Sequence, residues 1–189
     1  MKIRIWLSLL TLVSVLPVFA ELLQVAPAEN SIRVLSSTQT ETILQYEIGR
    51  INSSPVRIGD EIYHSLSLPS EGIAEERGCP MLPVLHRSLI IPPAAAMNLE
   101  LTDLQYVDLP MRVAPSKGAL SRDIDPASVP WEFGDSYSAE GFYPSVIATL
   151  SEPYILRDFR GISIRTSPVV YNHSNQTVRI YSSFKLRVY

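Results

Sequence analysis

The sequence predicts an all-β fold, a β-sandwich of jelly-roll type. The first observation is the alternation of apolar and polar residues in several short segments, which turns one row of side chains to a core and the other to solvent. The second is the presence of 15 prolines, which weigh against helices. The third is that no segment sustains a helical apolar period beyond about two turns. Many short strands joined by turn-forming residues are typical of sandwiches and jelly rolls.

The chain begins with the pattern of an export signal. Lys2 and Arg4 form a short basic start, an apolar run extends to Phe19, and small residues lead up to Ala20. This combination is typical of a signal peptide that is removed after Ala20. The run is too short for a comfortable membrane span. We therefore predict a cleavable signal peptide over residues 1–20.

The mature part, residues 21–189, is predicted to form one domain without a membrane span. The whole chain has 16 Lys and Arg against 19 Asp and Glu. Two of the cations lie in the export signal, so the mature part is more acidic than the whole chain, which argues against nucleic acid as a partner. Cys79 is the only cysteine, so no internal disulfide can form. We interpret Cys79 as a small buried hydrophobe, with a reactive thiol as the alternative.

Five alternating segments define the predicted strands in chain order. They are residues 42–48, 62–68, 97–102, 177–181 and 184–189. In the first of them, Leu44, Tyr46 and Ile48 share one face, which is predicted to be buried. Turn-forming residues separate the strands at 52–55, 69–72, 92–93 and 172–175.

Residues 113–130, which we call the proline loop, interrupt the strand pattern and form the candidate functional segment. Three prolines fix φ and remove backbone donors in it: Pro115, Pro126 and Pro130. Gly118 permits a sharp reversal, and two cations, Lys117 and Arg122, lie between the prolines. A long, stiffened loop in a compact domain is more often functional than idle. The alternative is a solvated crossover between two sheets.

The sequence contains no recognisable catalytic constellation. His64 lies on an apolar strand face and His173 in a turn, while His86 could serve Cys79 as a base only if the fold brought them together. There is no nucleophile elbow, no phosphate-binding glycine loop and no His/Cys cluster of the kind that binds metals. The sequence therefore predicts no intrinsic enzymatic activity, no cofactor and no metal.

A series of short motifs runs in order through the mature chain. They are Gly78-Cys-Pro-Met-Leu-Pro83, Ala114-Pro-Ser-Lys-Gly118, Gly134-Asp-Ser-Tyr-Ser138, Phe142-Tyr-Pro144, Ile147-Ala-Thr-Leu150, Ile155-Leu-Arg-Asp-Phe-Arg-Gly161, Pro168-Val-Val-Tyr-Asn172 and Arg179-Ile-Tyr181. Each is weak alone, but their order and spacing are specific. The chain resembles the N-terminal propeptide of the gingipains, the C25 family of cysteine peptidases, and within it the arginine-specific members most closely. The resemblance covers nearly all of residues 21–189.

The resemblance implies a prodomain that folds first, assists the folding of its peptidase and blocks the active site until maturation. In that family a basic side chain of a prodomain loop enters the specificity pocket of the catalytic domain. The matching position here is Arg122. Lys117 in the same loop is the other candidate, and Asp123 would lie just past the scissile position. The implied partner is a C25-type catalytic domain, in cis or in trans.

The resemblance also implies export to the periplasm and passage by the type IX route to the cell surface or the medium. The peptidase domain, with its catalytic Cys and His, is not expected within these residues. The chain departs from the family pattern at Cys79, where no thiol is expected, and at His173, where proline is frequent.

Two alternatives to an inhibitory prodomain stay open at this point. The first is a non-inhibitory binding module for carbohydrate or a cell surface, because Trp131, Phe133 and Tyr137 would offer a platform for sugar stacking if exposed. The same aromatics would equally pack the end of the proline loop onto the sandwich. The second is a structural domain that only assists secretion.

Overall fold

The computed structural model describes residues 20–94 and 96–189. The described secondary structure consists of thirteen strands, with bounds β1 Glu21–Gln24, β2 Ser31–Ser37, β3 Thr42–Glu47, β4 Arg50–Ile58, β5 Glu61–Ser67, β6 Gly72–Ile73, β7 Pro83–Ile90, β8 Leu99–Pro110, β9 Ala148–Leu150, β10 Tyr154–Leu156, β11 Phe159–Thr166, β12 Val169–Asn172 and β13 Thr177–Val188, and of two 3-10 helices, Pro126–Ser128 and Asp135–Tyr137. The all-β prediction is confirmed. The predicted signal peptide lies outside the described residues, apart from Ala20.

The strands form three antiparallel sheets. The first has the order β1-β4-β5, the second runs β6-β7-β11 with β9 and β10 both beside β11, and the third is centred on β13. Strand β13 pairs with β8 along nearly its whole length, whereas β3 and β12 share its other edge, and β2 adds to β3. Strand β13 therefore joins the third sheet from end to end.

Side chains from all three sheets meet in one hydrophobic core. Leu44, Tyr46 and Ile48 are buried, as the alternation predicted. The ring of Tyr46 stacks on that of Phe184 in β13, with centroids 4.7 Å apart and planes 12° from parallel. Ile164 of β11 belongs to the same cluster and is fully buried. Sheets packed through a common core constitute the jelly-roll-like β-sandwich that the sequence predicts.

The predicted turn at residues 52–55 is wrong, because these residues lie inside β4. Asn52 and Ser53 pair with β1 on one side, and all four pair with β5 on the other. Within the described residues β1 accompanies β4 only as far as Ser53, so Pro55 lies where β4 has an open edge. Proline is tolerated in a strand at such an edge, because its missing N–H breaks no bond of the ladder.

The two predicted strands at the end of the chain are one strand, β13. Ser182 and Ser183 lie at the predicted break between the two strands. Ser182 nevertheless occupies a buried position in phase with Ile180 and Phe184, and its hydroxyl lies 3.4 Å from the carbonyl oxygen of Gln105. Two shifts of register against β8 occur at this point. A bulge therefore accommodates the serines without ending the strand.

In the part of the chain that the structure describes, no helix has the length and hydropathy needed to cross a membrane.

We expect Phe184→Ala to lower the free energy of unfolding by about 3–5 kcal/mol, because it removes a fully buried ring and leaves a cavity beside Tyr46. Phe159→Ala is the matched control, since that ring is 59% exposed, and its effect should stay within about 0.5 kcal/mol. Chemical denaturation followed by circular dichroism measures both. Equal losses for the two variants would contradict the assigned core.

Candidate functional site

The proline loop has a buried base and an exposed crest. Val113 and Ala114 are fully buried, whereas every residue from 121 to 128 is exposed. Val113 forms a parallel bridge with His64, and Pro115 an antiparallel bridge with Pro80. The prediction that the whole of residues 113–130 departs from β structure is therefore wrong at its start. Isolated bridges escape detection because they involve too few residues to show alternation.

The first arm of the proline loop is hydrogen-bonded to residues 77–79, which we call the clasp. The Ser116 N–H donates to the Cys79 carbonyl (2.7 Å), and the Gly78 N–H donates to the Ser116 carbonyl (2.9 Å). On the other side of the Pro80–Pro115 pair, the Met81 N–H donates to the Ala114 carbonyl (2.9 Å). The two prolines thus face each other at a position where neither has to donate.

The second arm, which continues past Pro130 to Gly134, returns to the same clasp. The Gly134 N–H donates to the Gly78 carbonyl (2.9 Å), and Arg77 forms an ion pair with Glu132 at 2.7 Å. Gly78 has φ +79°, and a Cβ there would lie 3.0 Å from the Gly134 nitrogen. A side chain would meet rigid backbone, so the approach of the two arms requires glycine at position 78. The clasp was missed from the sequence, although Gly78 and Gly134 both begin motifs.

Lys117 links the two arms above the clasp. Its Nζ donates to the Pro126 carbonyl (2.6 Å) and lies 4.1 Å from the centroid of the Trp131 ring. The ammonium is thus engaged in a hydrogen bond and a cation–π contact within the loop. Through these two contacts Lys117 braces the two arms of the loop against each other.

Arg122 and Asp123 form the tip of the crest. The Ile124 N–H donates to the Ser121 carbonyl (3.0 Å), which closes a turn around them. Both side chains are exposed, and neither makes a hydrogen bond or an ion pair with any residue that the structure describes. Asp125 caps the 3-10 helix that follows, its Oδ1 accepting from the Ala127 N–H at 2.9 Å. The structure thus presents an unpaired guanidinium on an ordered turn.

An apolar cavity of about 400 Å³ lies between the proline loop and strand β6. Ile73 and Met81 line it from the body of the domain, Leu120 and Ala127 line it from the loop, and Trp131 lines it just after the loop. The crest is therefore supported at its two ends, and the space beneath it is not filled by side chains.

The aromatic residues after the loop pack onto the sandwich. Tyr137 is buried, its hydroxyl donates to the Val113 carbonyl (2.9 Å), and burial raises the pKa of that phenol. Phe133 lies between Tyr63 and Tyr137, with centroids 5.4 and 4.8 Å away. Tyr137 is therefore packed into the sandwich and is not available to an exposed sugar platform, whereas Phe133 remains 44% exposed. The same contacts tie the second arm to the base of the first.

His64 serves the scaffold. The Nδ1 atom of His64 lies 2.8 Å from Ser53 Oγ, and burial lowers the pKa of this imidazole. The His64 carbonyl accepts from the Ala114 N–H at 2.9 Å, so this residue helps to hold the base of the proline loop. His86 is exposed on β7, and no hydrogen bond joins it to Cys79. Among the described residues, no three His, Cys, Asp or Glu side chains are grouped so as to hold a metal ion.

The family model of the C25 propeptide, Propeptide_C25, matches residues 24–189. The chain belongs to the C25 propeptide family. The family model describes the propeptide and not the peptidase domain, which confirms the prediction of a non-catalytic prodomain.

Two relatives from Porphyromonas gingivalis extend this assignment. Gingipain R2 is 34% identical over 168 residues, which are 86% of this chain and 23% of the relative. Gingipain R1 is 34% identical over 161 residues, 84% of this chain and 16% of the relative. The chain thus spans less than a quarter of the length of these gingipains.

Two solved structures of gingipains contain a chain with the same fold. The complex of the pro- and mature domains of RgpB from Porphyromonas gingivalis contains a chain that matches with a TM-score of 0.79 and 33% identity, over 83% of both chains. A structure on the zymogenic latency of gingipain K from the same organism matches with a TM-score of 0.76 over 90% of this chain, at 14% identity. The second likeness concerns the fold alone.

We expect Cys79 to react slowly with a thiol reagent in the folded domain, at least about 100-fold slower than in denaturant, because it is buried and its segment must open first. Its N–H and C=O are both hydrogen-bonded, to Glu76 and Ser116, so opening disrupts the clasp as well. The measurement is the rate of thiol modification with and without denaturant. Equal rates would show that the thiol is accessible and would contradict the buried position.

Proposed function

We propose that this C25 propeptide inhibits a C25-type catalytic domain, in cis or in trans, by inserting Arg122 into its specificity pocket, and that it assists the folding of that domain. The observation that carries the proposal is the state of Arg122. It is an exposed cation at the tip of an ordered turn, with no partner among the described residues. Both arms of its loop are hydrogen-bonded to one clasp. The resemblance to arginine-specific gingipains supports the same residue.

The chemistry of arginine suits this role. A peptidase that cuts after arginine needs an acidic pocket, and a planar guanidinium binds a carboxylate through two parallel hydrogen bonds. Arg122 has no intramolecular hydrogen bond to give up on entering such a pocket. Its turn is already formed, so binding loses little conformational entropy. An interface of about 800 Å² per partner would then support tight inhibition.

The contacts of Lys117 favour Arg122 as the inserted residue. To enter a pocket, Lys117 would have to break its bond to the Pro126 carbonyl and leave the Trp131 ring. Arg122 pays no such cost. We therefore assign Lys117 to bracing the loop, and we expect an arginine-specific partner. Asp123 follows the inserted residue and would lie on the far side of the scissile position.

We also propose a route of secretion for this propeptide. Gingipain R2 is 34% identical to this chain, and residues 1–20 have the pattern of an export signal. We propose export to the periplasm, association with the catalytic domain there, and passage by the type IX route to the cell surface or the medium. Folding ahead of its partner is compatible with a domain that has its own hydrophobic core.

Arg122→Ala should raise the inhibition constant for an arginine-specific C25 catalytic domain by roughly 100-fold or more. The reason is that charge-assisted hydrogen bonds contribute about 1.5–3 kcal/mol each and the guanidinium makes two. The domain should stay folded, because the side chain is exposed and makes no hydrogen bond or ion pair within the described residues. Inhibition assays in trans and a thermal melt measure both quantities.

Arg122→Lys is the matched control and should fall between wild type and Arg122→Ala, because an ammonium keeps the charge but loses the fork. Lys117→Met should cost less than Arg122→Ala, since it removes only a brace. Inhibition by Arg122→Ala at wild-type strength would refute the proposal. A larger loss from Lys117→Met than from Arg122→Ala would shift the anchor to Lys117 and the partner to a lysine-preferring peptidase.

A further inference from the structure

We propose that the clasp keeps the proline loop in its inhibitory form after the peptide bond between Arg122 and Asp123 has been cut. The inference rests on the proposed function, because an arginine presented to an arginine-specific active site is also a possible substrate. Hydrolysis adds the hydroxyl of water to the Arg122 carbonyl carbon and its hydrogen to the Asp123 nitrogen. A carboxylate and an ammonium replace the amide, and no other bond changes.

The first arm stays in place without the second. Its base is buried at Val113 and Ala114, and Ser116 exchanges two backbone hydrogen bonds with Gly78 and Cys79, of 2.9 and 2.7 Å. Neither of the two Ser116 hydrogen bonds involves a residue beyond the cut. A cut after Arg122 therefore frees at most the few residues that follow Lys117.

The second arm has its own anchors on the same clasp. Gly134 donates to the Gly78 carbonyl at 2.9 Å, and Glu132 pairs with Arg77 at 2.7 Å. The ion pair is about half exposed and contributes little by itself. The buried Tyr137 holds the arm more firmly, because its hydroxyl donates to the carbonyl of Val113 at the base of the first arm.

Lys117 then limits how far the new ends can separate. Its bond to the Pro126 carbonyl (2.6 Å) crosses from the first arm to the second, close to the cut. Only residues 118–122 and 123–125 lie between this bond and the two new ends. Ends tethered this closely meet at an effective concentration in the millimolar range or above. The new carboxylate and ammonium also carry opposite charges.

Two consequences follow for inhibition. The cut loop still presents Arg122 beside the pocket, so cleavage at this bond does not by itself release the peptidase. Release instead requires that the clasp open, through cuts elsewhere or unfolding of the domain. Arg77 and Gly78 of the clasp, together with Glu132 and Gly134 of the second arm, are in this sense positioning residues, which act on Arg122 through the loop.

The test compares the intact and the cut chain. Limited digestion of the folded domain with an arginine-specific endopeptidase, followed by chromatography and intact-mass analysis, isolates the form cut once between Arg122 and Asp123. We expect its inhibition constant for an arginine-specific C25 catalytic domain to lie within about 10-fold of the intact value, because the ends remain tethered. A loss of about 100-fold or more on cutting would overturn the inference.

Weakening the links between the arms should make the cut costly. In the double variant Lys117→Met with Glu132→Gln, the intact chain should lose only a few-fold in inhibition, because the backbone still connects the arms. Cutting should raise the inhibition constant of this variant about ten times more than it raises that of the wild type. Glu140→Gln is the control, since Glu140 is an exposed acid without a hydrogen bond or ion pair among the described residues.

Amide hydrogen exchange separates this inference from the proposed function. The amides of Gly78, Ser116 and Gly134 should remain protected in the cut chain whether or not it inhibits a peptidase. If the intact chain fails to inhibit while these amides stay protected after cutting, the proposed function fails and the clasp stands. If their protection is lost on cutting, the clasp does not hold the loop and the inference is wrong.

Discussion

The backbone contact between Gly78 and Gly134 sets the geometry of the proline loop. Positions 116 and 134 are far apart in sequence, yet both hydrogen-bond to Gly78. A Cβ on Gly78 would lie 3.0 Å from the Gly134 nitrogen, and a Cβ on Gly134 would lie 3.2 Å from the Gly78 oxygen, both closer than an ordinary van der Waals contact. The base of the loop is therefore held in place. The prolines restrict φ in the residues above the base, so the anchored loop is also locally rigid.

The strands could be predicted where alternation is undisturbed and not where a polar or proline residue occupies a strand position. Leu44, Tyr46 and Ile48 carry a clean period of two and are buried. Pro55 and Ser182 conceal their strands, because the open edge beside Pro55 and the acceptor for Ser182 exist only once the sheets have assembled. Both depend on long-range contacts, which local patterns do not contain.

The candidate site could also be predicted from the sequence only in part. Its position was indicated by local features, namely the prolines and the cations Lys117 and Arg122. The different states of the two cations were not, because they depend on where Trp131 and the Pro126 carbonyl lie in space. The ion pair between Arg77 and Glu132 spans 55 positions and was equally hidden. The residue types in a loop can indicate that the loop is functional. Only its contacts in the folded domain show which side chain is available to a partner.

The availability of Arg122 is itself a structural outcome, since two carboxylates lie within three residues of it. Asp125 is occupied by the Ala127 N–H at the start of a 3-10 helix, and Asp123 shares the tip of the turn without reaching the guanidinium. Elsewhere in the domain, Arg87, Arg179 and Arg187 all pair with carboxylates. An arginine left unpaired on an ordered turn keeps its full capacity for a bidentate bond. This capacity favours a partner whose pocket is negatively charged, opposite to the guanidinium, although the domain as a whole is acidic.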